Sequence, residues 1–153
     1  MNKRPVFVII VSEVSMKILV SKCLLGINCR YKGDNCFNEK IAALAKDNEL
    51  IGVCPEVEGG LSTPRNPSEI VNDKVISSAG KDVTAEYKKG AEIALKLAQD
   101  NKVDLVIFKA KSPSCGKGLI YDGTFTGNKI PGNGIAAQLL IDNGFKVITE
   151  EDL

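Results

Sequence analysis

Three cysteines of this 153-residue chain stand just past the ends of short apolar runs. Lys17–Ser21 (KILVS) leads into Cys23, and Leu50–Val53 (LIGV) leads into Cys54. Leu105–Phe108 (LVIF) leads into the turn S-P-S-C-G that carries Cys115. Short runs rich in β-branched and aromatic residues, bounded by turn residues, read as buried strands. Ligands of open α/β sheets bind at the carboxyl edge, so three strands deliver three thiols to one edge. The chain has no histidine, which removes the commonest general base and the commonest zinc ligand. Metal chemistry here must rest on thiolates and carboxylates. Three thiolates suit either zinc or an iron–sulfur cluster. Zinc would want a fourth ligand, and Cys29 is available. A cluster on three cysteines leaves one iron open, the position that catalysis uses. A buried free cysteine can equally be a small apolar residue, and pattern alone leaves both possibilities standing. Cys36 precedes a helix cap in a polar loop and reads as incidental. Cys29 stays unassigned.

Other reactive side chains lie beside these cysteines. Glu56 is two residues past Cys54, and a carboxyl next to a metal site is a candidate proton donor or acceptor. Ser112 and Ser114 flank Pro113 beside Cys115; turn chemistry explains them, and a hydroxyl reaching the ligand is the functional counterpart. In T-P-R-N-P-S-E, Arg65 is expected to pair with Glu69 and order the loop, or else to grip a substrate oxygen. Gly132-Asn133-Gly134 precedes a helix and could bind an anion at its N-terminus. Neither nucleotide-binding glycine motif is present.

The elements that must position these groups follow in order. Met16–Ser21 is the first strand, and Lys22–Phe37 is a loop. Asn38 caps a helix over Glu39–Lys46, and Leu50–Val53 is the second strand. Cys54–Pro67 contains three prolines and a Gly-Gly pair, which excludes regular structure over most of it. Glu69–Ser78 reads as a short hairpin. Thr84 or Asp82 caps a long helix, Ala85–Asn101, with Tyr87, Ala91, Ala94, Leu95 and Ala98 on its apolar face. Leu119–Gly127 reads as a hairpin turning at Asp122-Gly123. A last helix, Gly132–Asn143, ends at Gly144, and Lys146–Thr149 is the fourth strand. Strands alternating with helices give an α/β fold. The expected sheet is small, open and mostly parallel, with about four strands, helices on both faces in three Rossmann-like layers, and short hairpins.

Composition narrows the partners. A net charge of +1 with interspersed lysines and acids lacks the basic footprint of a duplex-binding protein. Few aromatics and no Trp argue against a base-stacking platform. No apolar run approaches membrane-spanning length. Five cysteines, an odd count, argue against a closed disulfide framework, and a reducing cytoplasm is the expected location. Residues 1–15 begin with basic residues and an apolar run, Val6–Val11, that Glu13 follows; this is short for a signal peptide. They read as an extension ahead of a single cysteine-bearing domain, residues 16–153.

Several ordered motifs together resemble the domain-of-unknown-function 523 proteins, a family that includes the thiouracil desulfurases. They are V-S-K-C-L-L-G-I-N-C-R-Y, C-P-E-V-E-G-G-L-S-T-P-R-N-P-S-E, D-V-T, S-P-S-C-G-K-G-L-I-Y-D-G-T-F-T-G and G-N-G-I-A-A-Q-L-L. The resemblance runs from Met16 to about Glu150. It implies a [4Fe-4S] cluster on Cys23, Cys54 and Cys115, the three cysteines at the strand ends. It further implies that the open iron takes the sulfur of a thiolated pyrimidine, that water attacks the carbon, and that uracil and sulfide leave. Glu56 and Ser114, with Ser112 behind them, are the candidates for proton handling, and Arg30, Tyr31 and Arg65 for substrate contact or loop ordering. Cluster-assembly machinery is the partner such a cofactor calls for. Lys32-Gly33 stands where the family pattern carries Asp-Gly, and Cys29 is not a fixed feature of that pattern. A non-enzymatic module, with zinc or a sulfur-carrying thiol, is the alternative; a small-molecule binding domain built on the glycine loops is a third.

Overall fold

The computed structural model describes residues 16–153, so the reading of residues 1–15 falls outside the described residues. Ile18, Leu19 and Val20 are all fully buried, the mark of a strand covered on both faces. They belong to β1 (Lys17–Ser21), one of two central strands of a four-stranded sheet. The others are β2 (Glu49–Val53), β5 (Leu105–Phe108) and β8 (Val147–Thr149), in the order β2-β1-β5-β8. Every pairing in it is parallel.

Side chains alternate across this sheet. Leu19, Val106 and Phe108 pack with the alanines of α3 (Thr84–Asp100) and with Ala136, Ala137 and Leu140 of α4 (Ile135–Asp142). Ile18, Val20 and Ile107 pack on the opposite face with Leu24 and with Ile41 of α1 (Glu39–Ala43). The result is the expected three-layer α/β arrangement. The chain builds β2 on one side of β1, then crosses to the other side for β5 and β8. The topological switch, where a crevice opens beyond the carboxyl ends, therefore lies between β1 and β5.

Two antiparallel hairpins flank the sheet. β3 (Ser68–Val71) and β4 (Lys74–Ser77) pair through a two-residue turn. Asn72 and Asp73 both have positive φ there, +48° and +67°, as a primed turn requires. β6 (Leu119–Tyr121) pairs with β7 (Lys129–Pro131). The hairpin expected to turn tightly at Asp122-Gly123 instead spans a longer loop, residues 122–128, because its return strand begins at Lys129. That strand is exposed throughout, so no burial pattern marks it in the sequence.

Helix ends differ from expectation in detail. Asn38 does cap α1, its Oδ1 accepting from the Ile41 N–H at 3.1 Å, but the helix tightens into a 3-10 turn at Leu44–Lys46. Neither Thr84 nor Asp82 is the N-cap of α3; Val83 occupies that position. The Thr84 hydroxyl accepts from the Val75 N–H at 2.9 Å, tying the helix to β4. Asp82 accepts from the Thr84 N–H, and hydrogen bonding by the Thr84 side chain, then by its N–H, holds the carboxyl below the usual range. Within Cys54–Pro67, a Pro-initiated turn of helix, α2 (Pro55–Glu58), forms. The last helix begins at Ile135, after the glycines.

Candidate active site

Beyond β1 the chain tightens into a 3-10 turn, Lys22–Leu25, which presents Cys23. Beyond β2, Cys54 sits at the N-cap of α2, and Glu56 follows in its first turn. Beyond β5, Ser112 shapes the loop that carries Cys115. Its Oγ accepts from the N–H groups of Ser114 (3.1 Å) and Cys115 (3.0 Å), while its carbonyl accepts from Gly116. The start of α4 grips this turn from outside. Ile135 donates to the Pro113 carbonyl, and Ala136 and Ala137 both donate to that of Ser114. The N-terminal amides expected to be free for an anion are thus spent on holding the cysteine turn. A Cβ on Gly134 would lie 2.6 Å from the Ser114 carbonyl, so this grip needs a glycine there.

These segments enclose a cavity of about 410 Å³ at the switch point, within the range usual for small-molecule sites. Cys23, Cys54, Cys115, Glu56, Ser112, Ser114, Arg30 and Tyr31 all line it. Arg65 does not; it stands behind Glu56. Its Nε donates to Glu56 Oε1 at 3.0 Å, and its other nitrogens donate to the carbonyls of Ser62 and Cys29 and to the Thr63 hydroxyl. Both side chains of the Glu56–Arg65 pair are largely buried, 13% and 8% exposed. The expected partnership of Arg65 with Glu69 does not form, because Glu69 turns to the 122–128 loop. The loop-ordering role of Arg65 holds, through a different carboxylate.

Glu56 is the hub of a polar chain. Its Oε2 accepts from the Ser114 hydroxyl at 2.8 Å, with Ser112 Oγ at 3.5 Å, the limit of a hydrogen bond. The two serine hydroxyls are 2.9 Å apart, and Ser114 Oγ lies 3.6 Å from Cys115 Sγ. Tyr87 presents its buried hydroxyl to this region; burial and the neighbouring Glu56 charge push its pKa up.

Cys29 also lines the cavity. A hydrogen-bonding interaction with Cys23 raises its thiol to about 11, opposed in part by one with Cys54. Interaction with Cys29, then burial, pushes the Cys54 thiol up. Burial pushes Cys115 up to about 12. Such thiols stay protonated at neutral pH unless a strong Lewis acid replaces the proton. Cys36 lies outside the cavity, with its N–H donating to the Cys23 carbonyl. Lys109, Tyr121 and Phe125 are lining residues that the motifs did not single out; Tyr121 and Phe125 sit in the Y-D-G-T-F-T-G stretch, whose length past Cys115 was the available signal.

The donor set fits an iron–sulfur cluster in kind: Cys23, Cys54 and Cys115 line one cavity, and thiolates are the donors that hold such clusters.

Comparison with known proteins bears on the family of the chain. The family model for 2-thiouracil desulfurase matches residues 18–152. The uncharacterized protein YbbK of Bacillus subtilis (strain 168) is 44% identical over 146 residues, covering 89% of this chain and 97% of that protein. A solved structure of TudS, a [4Fe-4S]-dependent thiouracil desulfidase, superposes with a TM-score of 0.85 at 42% identity, covering 90% of this chain and 92% of that one. The chain therefore belongs to the 2-thiouracil desulfurase family.

Proposed function

We propose that this protein is an iron–sulfur-dependent desulfurase that converts a thiolated pyrimidine such as 2-thiouracil to uracil and sulfide. Cys23, Cys54 and Cys115 are the residues that would hold its [4Fe-4S] cluster. The observation that carries the proposal is the chain Arg65–Glu56–Ser114–Cys115, which joins a fixed carboxylate to a thiol at the cavity wall through one hydroxyl. When bound, the cluster supplies an open iron, a soft Lewis acid for a thiocarbonyl sulfur.

The residues of the chain do the rest. Arg65 fixes one oxygen of Glu56 and leaves the other facing the cavity, where it can take a proton from an attacking water. Ser114, between Glu56 and Cys115, is placed to pass that proton toward the departing sulfur. Ser112 holds the Ser114–Cys115 backbone and keeps the hydroxyl aimed. The change is a hydrolysis. A carbon–sulfur double bond becomes carbon–oxygen, the two protons of water leave with the sulfur, and no electrons are exchanged. Arg30 and Tyr31, at the rim, are the side chains that would meet the pyrimidine. Arg30 is steadied by Asp34 at 2.8 Å and stacks over Tyr31 at 5.3 Å.

One observation weighs against the sulfur-carrier alternative. A sulfur carrier needs a low-pKa cysteine, whereas burial and thiol neighbours raise Cys54 and Cys115. The test is oxygen-free reconstitution followed by iron, sulfide and visible-spectrum analysis, then incubation with 2-thiouracil. About four irons per chain, lost in Cys115→Ala, with uracil and sulfide formed, is the expected result. Bound zinc, or iron retained in that variant, would overturn the proposal.

A further inference from the structure

Two non-glycine lining residues, Lys111 and Phe125, have positive φ, and Phe125 is the apolar one. Phe125 has φ +58°, the left-handed region that bulky side chains avoid. It is 40% exposed and lines the cavity. Within its loop, Asp122 Oδ1 accepts from both the Thr124 N–H and hydroxyl, and Thr124 and Thr126 share a 2.6 Å hydrogen bond. From outside, Glu69 on β3 reaches across. Its Oε1 accepts from the Gly123 N–H at 2.9 Å and from the Phe125 N–H at 3.2 Å. Among the described residues Glu69 makes no ion pair. A Cβ on Gly123 would meet the Ile70 carbonyl at 2.7 Å, so the loop is pressed onto β3. A strained backbone persists only where its surroundings over-determine it, and here they keep an apolar ring partly in solvent.

We propose that Phe125 is a stacking face that binds a flat heterocycle, and that Glu69 is the positioning residue that holds it at the cavity. The inference rests on the desulfurase reading and names what in this chain would hold the base. A single ring stacking on one phenyl face needs no hydrogen-bond match, and truncation of such a contact weakens binding by roughly ten- to a hundredfold. Glu69 acts through the loop, because its acceptor oxygen satisfies two backbone donors at once.

The experiment compares reconstituted wild type with Phe125→Ala, Phe125→Tyr, Glu69→Ala and Glu69→Gln. It reads iron content, the affinity for uracil, and KM and kcat for 2-thiouracil. Phe125→Ala is expected to raise KM and weaken uracil binding about tenfold or more, with kcat and iron unchanged; Phe125→Tyr stays close to wild type. Glu69→Ala follows Phe125→Ala, and Glu69→Gln, which keeps the acceptor oxygen, restores most of the loss. Unchanged uracil affinity and KM in Phe125→Ala would overturn the inference. So would a fall in kcat in Glu69→Gln, which would make Glu69 a proton-handling group. An iron-loaded wild type that neither binds uracil nor consumes 2-thiouracil would instead sink the parent reading, and this inference with it.

Discussion

Gly90, in the middle of the long helix α3, offers a sharp test of how the site is positioned. In an exposed helix, Gly→Ala would stabilise by about 1 kcal/mol through lost backbone entropy. Here a Cβ on Gly90 would lie 1.8 Å from the Pro55 carbonyl oxygen. Gly59, just past α2, mirrors this, since its Cβ would lie 2.0 Å from the Glu86 carbonyl. The backbones of α2 and α3 thus touch through two glycines, and neither contact point is a flexible side chain that can swing away. Relief to ordinary contact requires the segments to part by about 1.6 Å. Overpacking of this kind costs about 1–3 kcal/mol, so Gly90→Ala is expected to lose stability despite its better helix propensity. A net loss of about 1 kcal/mol lowers the melting temperature by roughly 2–4 °C at this size. Pro55 lies between Cys54 and Glu56, so the same shift moves the proposed cluster ligand and the proposed base. A misplacement near 1 Å can cost about 100-fold in rate. The assay is thermal unfolding by circular dichroism, with iron content and kcat/KM on the reconstituted protein. Gly59→Ala, at φ −74°, should give the same pattern from the other side. A Gly90→Ala protein that is more stable than wild type and fully active would refute the claim that this contact sets the position of Cys54 and Glu56.

Four further outcomes are expected. Cys29→Ser should keep about four irons per chain, whereas Cys23→Ala and Cys54→Ala should lose them; iron loss in Cys29→Ser would make it a ligand. Glu56→Gln and Ser114→Ala should retain the cluster and lower kcat by roughly 10²–10⁴-fold, the range for general acid–base groups; unchanged kcat would remove them from proton transfer. Arg65→Met leaves a largely buried carboxylate unpaired and should cost about 3–5 kcal/mol, read by urea unfolding; a loss under about 1 kcal/mol would place this pair with exposed ion pairs. In the metal-free chain, alkylation should reach Cys36, outside the cavity, well before the buried Cys115. With the Cys115 thiol raised to about 12 by burial, its thiolate is scarce at neutral pH, and its labelling should speed up about tenfold per pH unit. Fast labelling of Cys115 at pH 7 would contradict that burial.

Much of this protein was legible in its residues. Short β-branched runs bounded by polar or turn residues located the four strands of the sheet, because a strand buried in the sheet is apolar along most of its length. Asn38 marked a helix start, and the three strand-end cysteines marked one edge before any pairing was known. The motifs identified the family. What the residues left open depended on which distant segments meet. Arg65 pairs with Glu56 and not Glu69, since the fold, not the spacing, decides which carboxylate faces a guanidinium. Cys29 joins the cavity although no strand end presents it, carried there by a loop whose path is set by tertiary hydrogen bonds. The helix start at Gly134 reads locally as an anion site, yet its amides close onto the Cys115 turn. β7, exposed on every residue, carries no burial signal at all. Sequence determines local geometry and the direction each side chain can take; the partners across space follow only when the layers pack, because each contact there depends on elements tens of residues apart.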